Sequence, residues 1–278
     1  MSSFHGTGTE DFKRRDAASY NDHAAAYGRY IEQLAGPLAD NLCRLAELRP
    51  GDRVLDIGCG TGVATRKAST LTGHALGVDL SQGMLDEAER VGGAEYRRMD
   101  AEALDLESGS YDAVVSLCAV AHFPNLERAL QEMLRVLKPG GRLVLASGER
   151  RPTFRGILRR SPGYFVAPSA IMGVVSRLPE VEALTEWGRD SPMQQLRRLL
   201  PGAATDRCEH AVVFDSSEEF WDAQAAIVTD ARKRLAVAPP EAVAESRAEF
   251  LRRARSKRLV YPYQAAFQSG RPSSIAAS

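Results

Sequence analysis

A strand that ends in an acid and then breaks into alternating glycines constrains this chain more than any other stretch. Val54-Leu55-Asp56-Ile57 is an apolar run carrying one carboxylate, and Gly58-Cys59-Gly60-Thr61-Gly62 follows before a helix-forming segment. Glycine has no Cβ, so the backbone can turn sharply there and press against a ligand. The helix start beyond it offers free N–H groups to a polar or anionic group. The stretch predicts a first parallel strand whose carboxyl end holds a nucleotide-like cofactor.

Spacing narrows the choice of cofactor. A dinucleotide site wants Gly-x-Gly-x-x-Gly. Here Val63 occupies the third slot of that pattern, and no Lys-Ser or Lys-Thr pair follows to grip a phosphate. Asp56 precedes the loop, where its charge suits a cationic amino-acid head better than a pyrophosphate. On these residues the stretch resembles motif I of the class I S-adenosylmethionine (SAM) methyltransferases. For the loop alone, a structural strand–turn–helix without ligand is the alternative, and the downstream segments weigh against it.

His74-Ala75-Leu76-Gly77-Val78-Asp79-Leu80 reads as a second strand ending in a carboxylate, 19 residues after Gly60. A ribose-binding acid stands at roughly 20 residues in such units, and a carboxylate accepts from both ribose hydroxyls at once. Ser81 is positioned to cap the helix that follows. Met84 lies on its first turns, either packed on an adenine face or as a plain core methionine. Tyr96-Arg97-Arg98-Met99-Asp100-Ala101-Glu102 is another short strand ending in acids. The resemblance implies that Asp100 accepts from the adenine amino group and that Ala101 offers its backbone N–H. It also implies cofactor contacts from Leu80, Glu102 and Leu117.

Tyr111 to Leu117 reads as a fourth strand, Leu126 to Leu137 as an amphipathic helix, Lys138-Pro139-Gly140-Gly141 as a turn and Arg142 to Ser147 as a fifth strand. Strands alternating with helices predict an α/β fold with helices on both faces of a parallel sheet. The order and spacing of these segments are similar to the UbiE-like branch of small-molecule methyltransferases, closely over about residues 40 to 150. That resemblance implies a doubly wound, Rossmann-like, seven-stranded sheet with the last strand antiparallel, plus helical lid insertions. The expected organisation is an N-terminal helical segment (1–40), a SAM-binding core (41–150), a lid (151–204), and last strands (205–268) holding a helical insertion (217–258), then a tail (269–278).

Net charge is zero, so no nucleic-acid tract is expected. The arginine-rich clusters, Lys13-Arg14-Arg15 among them, read as solvated helix faces or loop edges. Four scattered cysteines show neither metal spacing nor a paired framework, and no signal core or long apolar run appears. A cytoplasmic protein without membrane, nucleic-acid or metal partners is expected, as monomer or homodimer.

The ends carry the individuality. Residues 1–12 read as frayed, and Asp16 to Leu48 as one or two helices. Tyr20, Tyr27 and Tyr30 lie near one face there. Such a stripe is ordinarily core, but the resemblance implies that Tyr20 or Tyr27 reaches the methionine end of the cofactor. Beyond residue 150, prolines at 152, 162, 168, 179 and 192 argue against one long helix. Met193 to Leu200 reads as a helix and Cys208 to Phe214 as a strand. Long helices are expected from Ser217 through Arg234 and from Pro240 to Arg258, then a final strand from Leu259 to Gln268.

A bound sulfonium already carries an electrophilic methyl, so the chain must supply proximity, exclusion of water and, for a hydroxyl or acidic carbon, a base. His122 follows the fourth strand at the ligand edge of the sheet, and histidine is the residue type best suited to proton abstraction near neutral pH, which makes it the candidate base or else a structural pin of its loop. No acidic partner for it is evident in the sequence. Phe154, Tyr164, Phe165, Met172, Trp187 and Trp221 are expected to line an apolar acceptor cavity or to anchor the lid. The acceptor class is then a medium-sized, partly hydrophobic molecule such as a polyketide, quinone, terpenoid or modified sugar, with O-methylation favoured over C-methylation. A SAM-binding enzyme that cyclises or rearranges its substrate, and a SAM-binding regulatory or scaffolding protein, are the alternatives.

Overall fold

The computed structural model describes residues 7–148, 164–166, 169–179, 191–255 and 257–272. Helices α1 (Thr7–Asn21) and α2 (Ala24–Leu45) lead into β1 (Arg53–Ile57), α3 (Val63–Thr72), β2 (His74–Asp79), α4 (Gln82–Val91) and β3 (Glu95–Arg98). After β4 (Tyr111–Leu117) come a 3-10 turn at Val120–His122, α5 (Leu126–Val136) and β5 (Leu137–Gly148). The remainder is β6 (Tyr164–Val166), α6 (Ser169–Val175), α7 (Pro192–Leu199), β7 (Ala204–Phe214), α8 (Ser217–Ile227), α9 (Thr229–Val237), α10 (Pro240–Ala254) and β8 (Arg258–Gly270).

Five strands run parallel in the order β3-β2-β1-β4-β5. β8 joins β5 antiparallel, and β7 pairs antiparallel with β8 from Leu259 to Ser269. These seven are the expected sheet. The three-residue β6 is an eighth strand, parallel to Arg258–Val260. β5 ends opposite Ala265, so the first half of β8 stands beyond the carboxyl edge of the parallel strands. The expected turn at Lys138–Gly141 is a bulge within β5, since Leu137 pairs with Tyr111 and Arg142 with Ala113.

Side chains alternate across the strands with a period of two. Val54, Val144, Ala146, Ala265 and Phe267 face a core closed by α2, α3, α6, α8, α9 and α10. Leu55, Ile57, Leu143, Leu145 and Ala266 face a second core closed by α5 and α7. Helix α2 spans its side because Leu34, Leu38 and Leu42 recur at helical spacing and are fully buried. Each such leucine is worth roughly 1.5–3 kcal/mol in burial.

Several boundaries differ from expectation. Helix α1 already runs from Thr7, within the stretch read as frayed, because its inner face packs on the molecule. The long helix from Ser217 is two helices: Val228 adopts extended backbone (φ −76°, ψ 102°) and breaks it. Ser216 caps α8 by accepting from the Glu219 N–H. Helix α10 ends at Ala254, and β7 and β8 are longer than their sequence cores because they pair with each other over eleven positions. Among the described residues no helix is long and apolar enough to cross a membrane.

Candidate functional site

The glycine loop is the hinge of the site. Gly58, Gly60 and Gly62 all have φ in the left-handed region, at 69°, 54° and 84°. A Cβ on Gly58 would sit 2.3 Å from the Ala119 Cβ, and one on Gly62 would meet the Tyr96 hydroxyl oxygen at 2.4 Å. Both conformation and space therefore demand glycine at these two positions. The loop is stitched to β2, with the Gly58 and Cys59 N–H groups both donating to the Val78 carbonyl.

A cavity of about 260 Å³ opens at the carboxyl ends of β1, β2 and β4. Its floor carries two carboxylates, Asp56 fully buried and Asp79 partly buried. Asp79 accepts from the Gly60 N–H through Oδ2 and from the Ser81 N–H through Oδ1, each at 2.9 Å. Burial raises its pKa, partly offset by those N–H groups. Asp56 accepts from the Thr65 hydroxyl at 2.6 Å through Oδ2, while its buried Oδ1 has no partner. Burial pushes this carboxyl up to about 7. Met84, Leu80 and Leu117 complete the nearby wall. Ser81 caps α4, as its position predicts, by accepting from the Met84 N–H.

Asp100, Ala101 and Glu102 form the far rim. Asp100 accepts from the Glu102 N–H, and Glu102 accepts from the Asn125 N–H. The surprise is Lys13. Its ammonium lies 2.7 Å from both Asp100 Oδ2 and Glu102 Oε2, and the residue is 8 % exposed, not on a solvated face. Burial opposes its charge, but the two carboxylates outweigh burial and raise its pKa. Asn21 fastens the other end of α1, accepting from the Ser81 hydroxyl and the Gly83 N–H.

His122 stands at the opposite end with the acidic partner that the sequence did not reveal. Its Nδ1 is 2.8 Å from Asp16 Oδ2, and its Nε2 is 3.3 Å from the Tyr20 hydroxyl. Lys233 reaches the other oxygen of Asp16 at 3.4 Å. Burial alone would raise the Asp16 pKa, but His122 and Lys233 overcome it and hold the carboxyl below its ordinary value. Arg232, buried in α9, lies over the Tyr20 ring at 4.1 Å. Tyr20 meets Tyr27 edge-on at 6.1 Å. Tyr261 and Tyr263, from the overhanging half of β8, also line this end. Burial pushes all four phenols upward, so they remain neutral donors.

Every residue expected to touch the cofactor thus lines one cavity, together with His122. Of the expected acceptor residues, the two whose side chains are described, Trp221 and Met172, do not. Trp221 is buried in the core, edge-on to Phe250 at 5.1 Å, and Met172 packs partly buried against the same core, so both fasten helices α6, α8 and α10 to it instead. Tyr164 and Phe165 lie in β6, but their side chains, like all of Phe154 and Trp187, fall outside the described residues. The residues missed are Lys13, Asp16, Tyr261 and Tyr263. One signal was available: Lys13, Asp16, Ala17 and Tyr20 recur at helical spacing and mark the inward stripe of α1.

A doubly wound sheet with a glycine loop after its first strand and an acid closing its second defines a nucleoside-binding α/β enzyme. Residues 55–145 match the methyltransferase domain family. The chain is 31 % identical over 207 residues to demethylmenaquinone methyltransferase of Clavibacter sepedonicus, covering 70 % of this chain and 83 % of that protein. It is 34 % identical over 176 residues to the ubiquinone/menaquinone biosynthesis C-methyltransferase UbiE of Pseudomonas syringae pv. tomato, covering 59 % and 68 %. The fold is similar to a putative methyltransferase from an antibiotic biosynthesis pathway of Anabaena variabilis, with TM-score 0.58, 19 % identity and coverage of 85 % and 99 %. The chain belongs to the class I SAM-dependent methyltransferases, in their UbiE-like branch. Its cavity fits that cofactor on its own terms: the unpartnered Asp56 Oδ1 matches an ammonium, and the open glycine backbone leaves room for the amino-acid tail.

Proposed function

We propose that this methyltransferase acts on a hydroxylated aromatic or enolic small molecule of quinol type, with His122 as the general base. Bound SAM supplies an electrophilic methyl on a sulfonium. The chain's residues then divide the work. Asp79 clasps the ribose, Asp56 the ammonium, and Asp100 with Ala101 the adenine edge. Leu80, Met84, Glu102 and Leu117 shape that wall.

The carrying observation is the acceptor end, where four neutral tyrosines line the same cavity as one histidine whose Nε2 lies 3.3 Å from the Tyr20 hydroxyl. Phenol rings pack on a planar acceptor and offer it hydrogen bonds. Removing a hydroxyl proton from such a ring makes its oxygen nucleophilic and enriches the adjacent carbon as well. The same base therefore serves O-methylation and the C-methylation named for the UbiE relatives. O-methylation is favoured here because it ends with the proton already on the base.

The test uses SAM labelled in its methyl group, with reduced 1,4-naphthoquinones and simple polyphenols as acceptors, and mass spectrometry of the products. Label in product is expected. Product of unchanged mass would replace methyl transfer with rearrangement. His122→Ala should lower turnover by about 10²–10⁴-fold, the usual share of a general base, with SAM affinity nearly intact. Loss of SAM binding would make His122 a cofactor residue.

A further inference from the structure

Helices α1 and α9 bring four side chains around His122 that a base alone does not need. Asp16 is an ionised acceptor, so the Nδ1 atom, 2.8 Å away, must carry the proton it accepts. The neutral ring is then left with its lone pair on Nε2. That lone pair does not meet the cavity bare, because the Tyr20 hydroxyl donates to it from 3.3 Å. Tyr20 lines the cavity, so an acceptor hydroxyl that reaches its oxygen can pass a proton on to the imidazole.

Arg232 adds the second half of the argument. Its guanidinium lies over the Tyr20 ring, it is 1 % exposed, and its Nε and Nη2 have no hydrogen-bond partner. A fully buried arginine left so poorly paired is costly, and its field falls on the Tyr20 phenol that its guanidinium covers and on Tyr27 beside it. Lys233 does the corresponding work for Asp16 on its other oxygen. Each cation therefore stands behind one member of the chain Asp16–His122–Tyr20.

We infer that the acceptor's proton travels through Tyr20, a path that rests on the proposed role of His122 as base. The acceptor O–H breaks as its proton binds the Tyr20 oxygen. The Tyr20 O–H breaks as its proton passes to His122 Nε2. The electron pair stays on the acceptor oxygen, and the imidazolium formed is balanced by Asp16. Arg232 stabilises the negative charge that develops on the phenol during transfer. Tyr20 is thus a catalytic residue, whereas Asp16 and Arg232 are positioning residues that act through His122 and Tyr20.

The test has two arms on the full chain. In the first, ¹⁵N NMR of the imidazole nitrogens is read with S-adenosylhomocysteine bound, which needs no acceptor. The neutral His122 ring should be protonated at Nδ1, its Nε2 resonance should move in Tyr20→Phe, and Asp16→Ala should mix the tautomers. An Nε2-protonated ring, or an Nε2 resonance unmoved in Tyr20→Phe, would overturn the path. In the second, 1,4-dihydroxynaphthalene is the acceptor. Tyr20→Phe should lower kcat at least tenfold while KM for SAM stays within twofold, and unchanged or faster turnover would overturn it. If the wild-type protein leaves this diol untouched, the acceptor reading fails while the NMR arm still judges the path.

Discussion

The two carboxylates on the cavity floor do different work, and each gives its own prediction. Asp79 holds the loop through Gly60 and still has acceptor capacity toward the cavity. A hydrogen bond to a charged acceptor is worth about 1.5–3 kcal/mol, so Asp79→Ala should weaken SAM binding at least tenfold by calorimetry. Unchanged affinity would remove the ribose assignment. Asp56 is mostly protonated below pH 7 because burial pushes it up to about 7. An ammonium prefers the ionised form, so binding expels a proton wherever that form is scarce. SAM affinity should therefore rise as pH climbs to about 7 and level off above it. Asp56→Asn should flatten the curve. Both residues were legible in the sequence because spacing from a glycine loop is a local property. The Asp16–His122 pair was not, since 106 residues separate its members and only the folded chain brings them together.

At the scale of elements, α1 acts as a strap across the cofactor end. Lys13 bridges Asp100 and Glu102, Asn21 pins the start of α4, and Asp16 and Tyr20 between them reach His122. Breaking a buried ion pair by removing one partner costs about 3–5 kcal/mol. Lys13→Ala leaves Glu102 buried with one oxygen unpaired, so the strap should loosen more than the sheet. Limited proteolysis should then cut within α1 first, and SAM affinity should fall. Cleavage no faster than in the wild type would show that α1 is held by other contacts. Sequence reading found the strand–helix alternation because glycine, proline and apolar runs punctuate it locally. Within the Lys-Arg-Arg cluster it missed Lys13 alone, the arginines being exposed as expected, because charge alone does not say which side of a helix meets a buried acid. The break at Val228 was equally hidden, since neither glycine nor proline marks it.

For the molecule as a whole, the sheet sets a gradient of stability. β1 and β4 lie in the middle, flanked on both edges and covered by both cores, whereas α1 rests on the carboxyl edge through a handful of polar contacts. The overhanging half of β8 carries Tyr261 and Tyr263 over the same edge, so cofactor and acceptor share one cleft between strap and overhang. Local opening free energies follow buried contacts, which makes α1 the element that opens to admit the cofactor. Hydrogen exchange should therefore be slowest in β1 and β4 and fast in α1 of the free protein. Adding S-adenosylhomocysteine should slow exchange in α1, in the loop at residues 58–62 and at residues 99–102. The Ala204–Cys208 end of β7, which pairs with β8 on the far side of the sheet, should not respond. Protection confined to the glycine loop, with α1 exchanging as before, would mean that the strap stays shut or stays open regardless of the cofactor, and that α1 does not gate its entry.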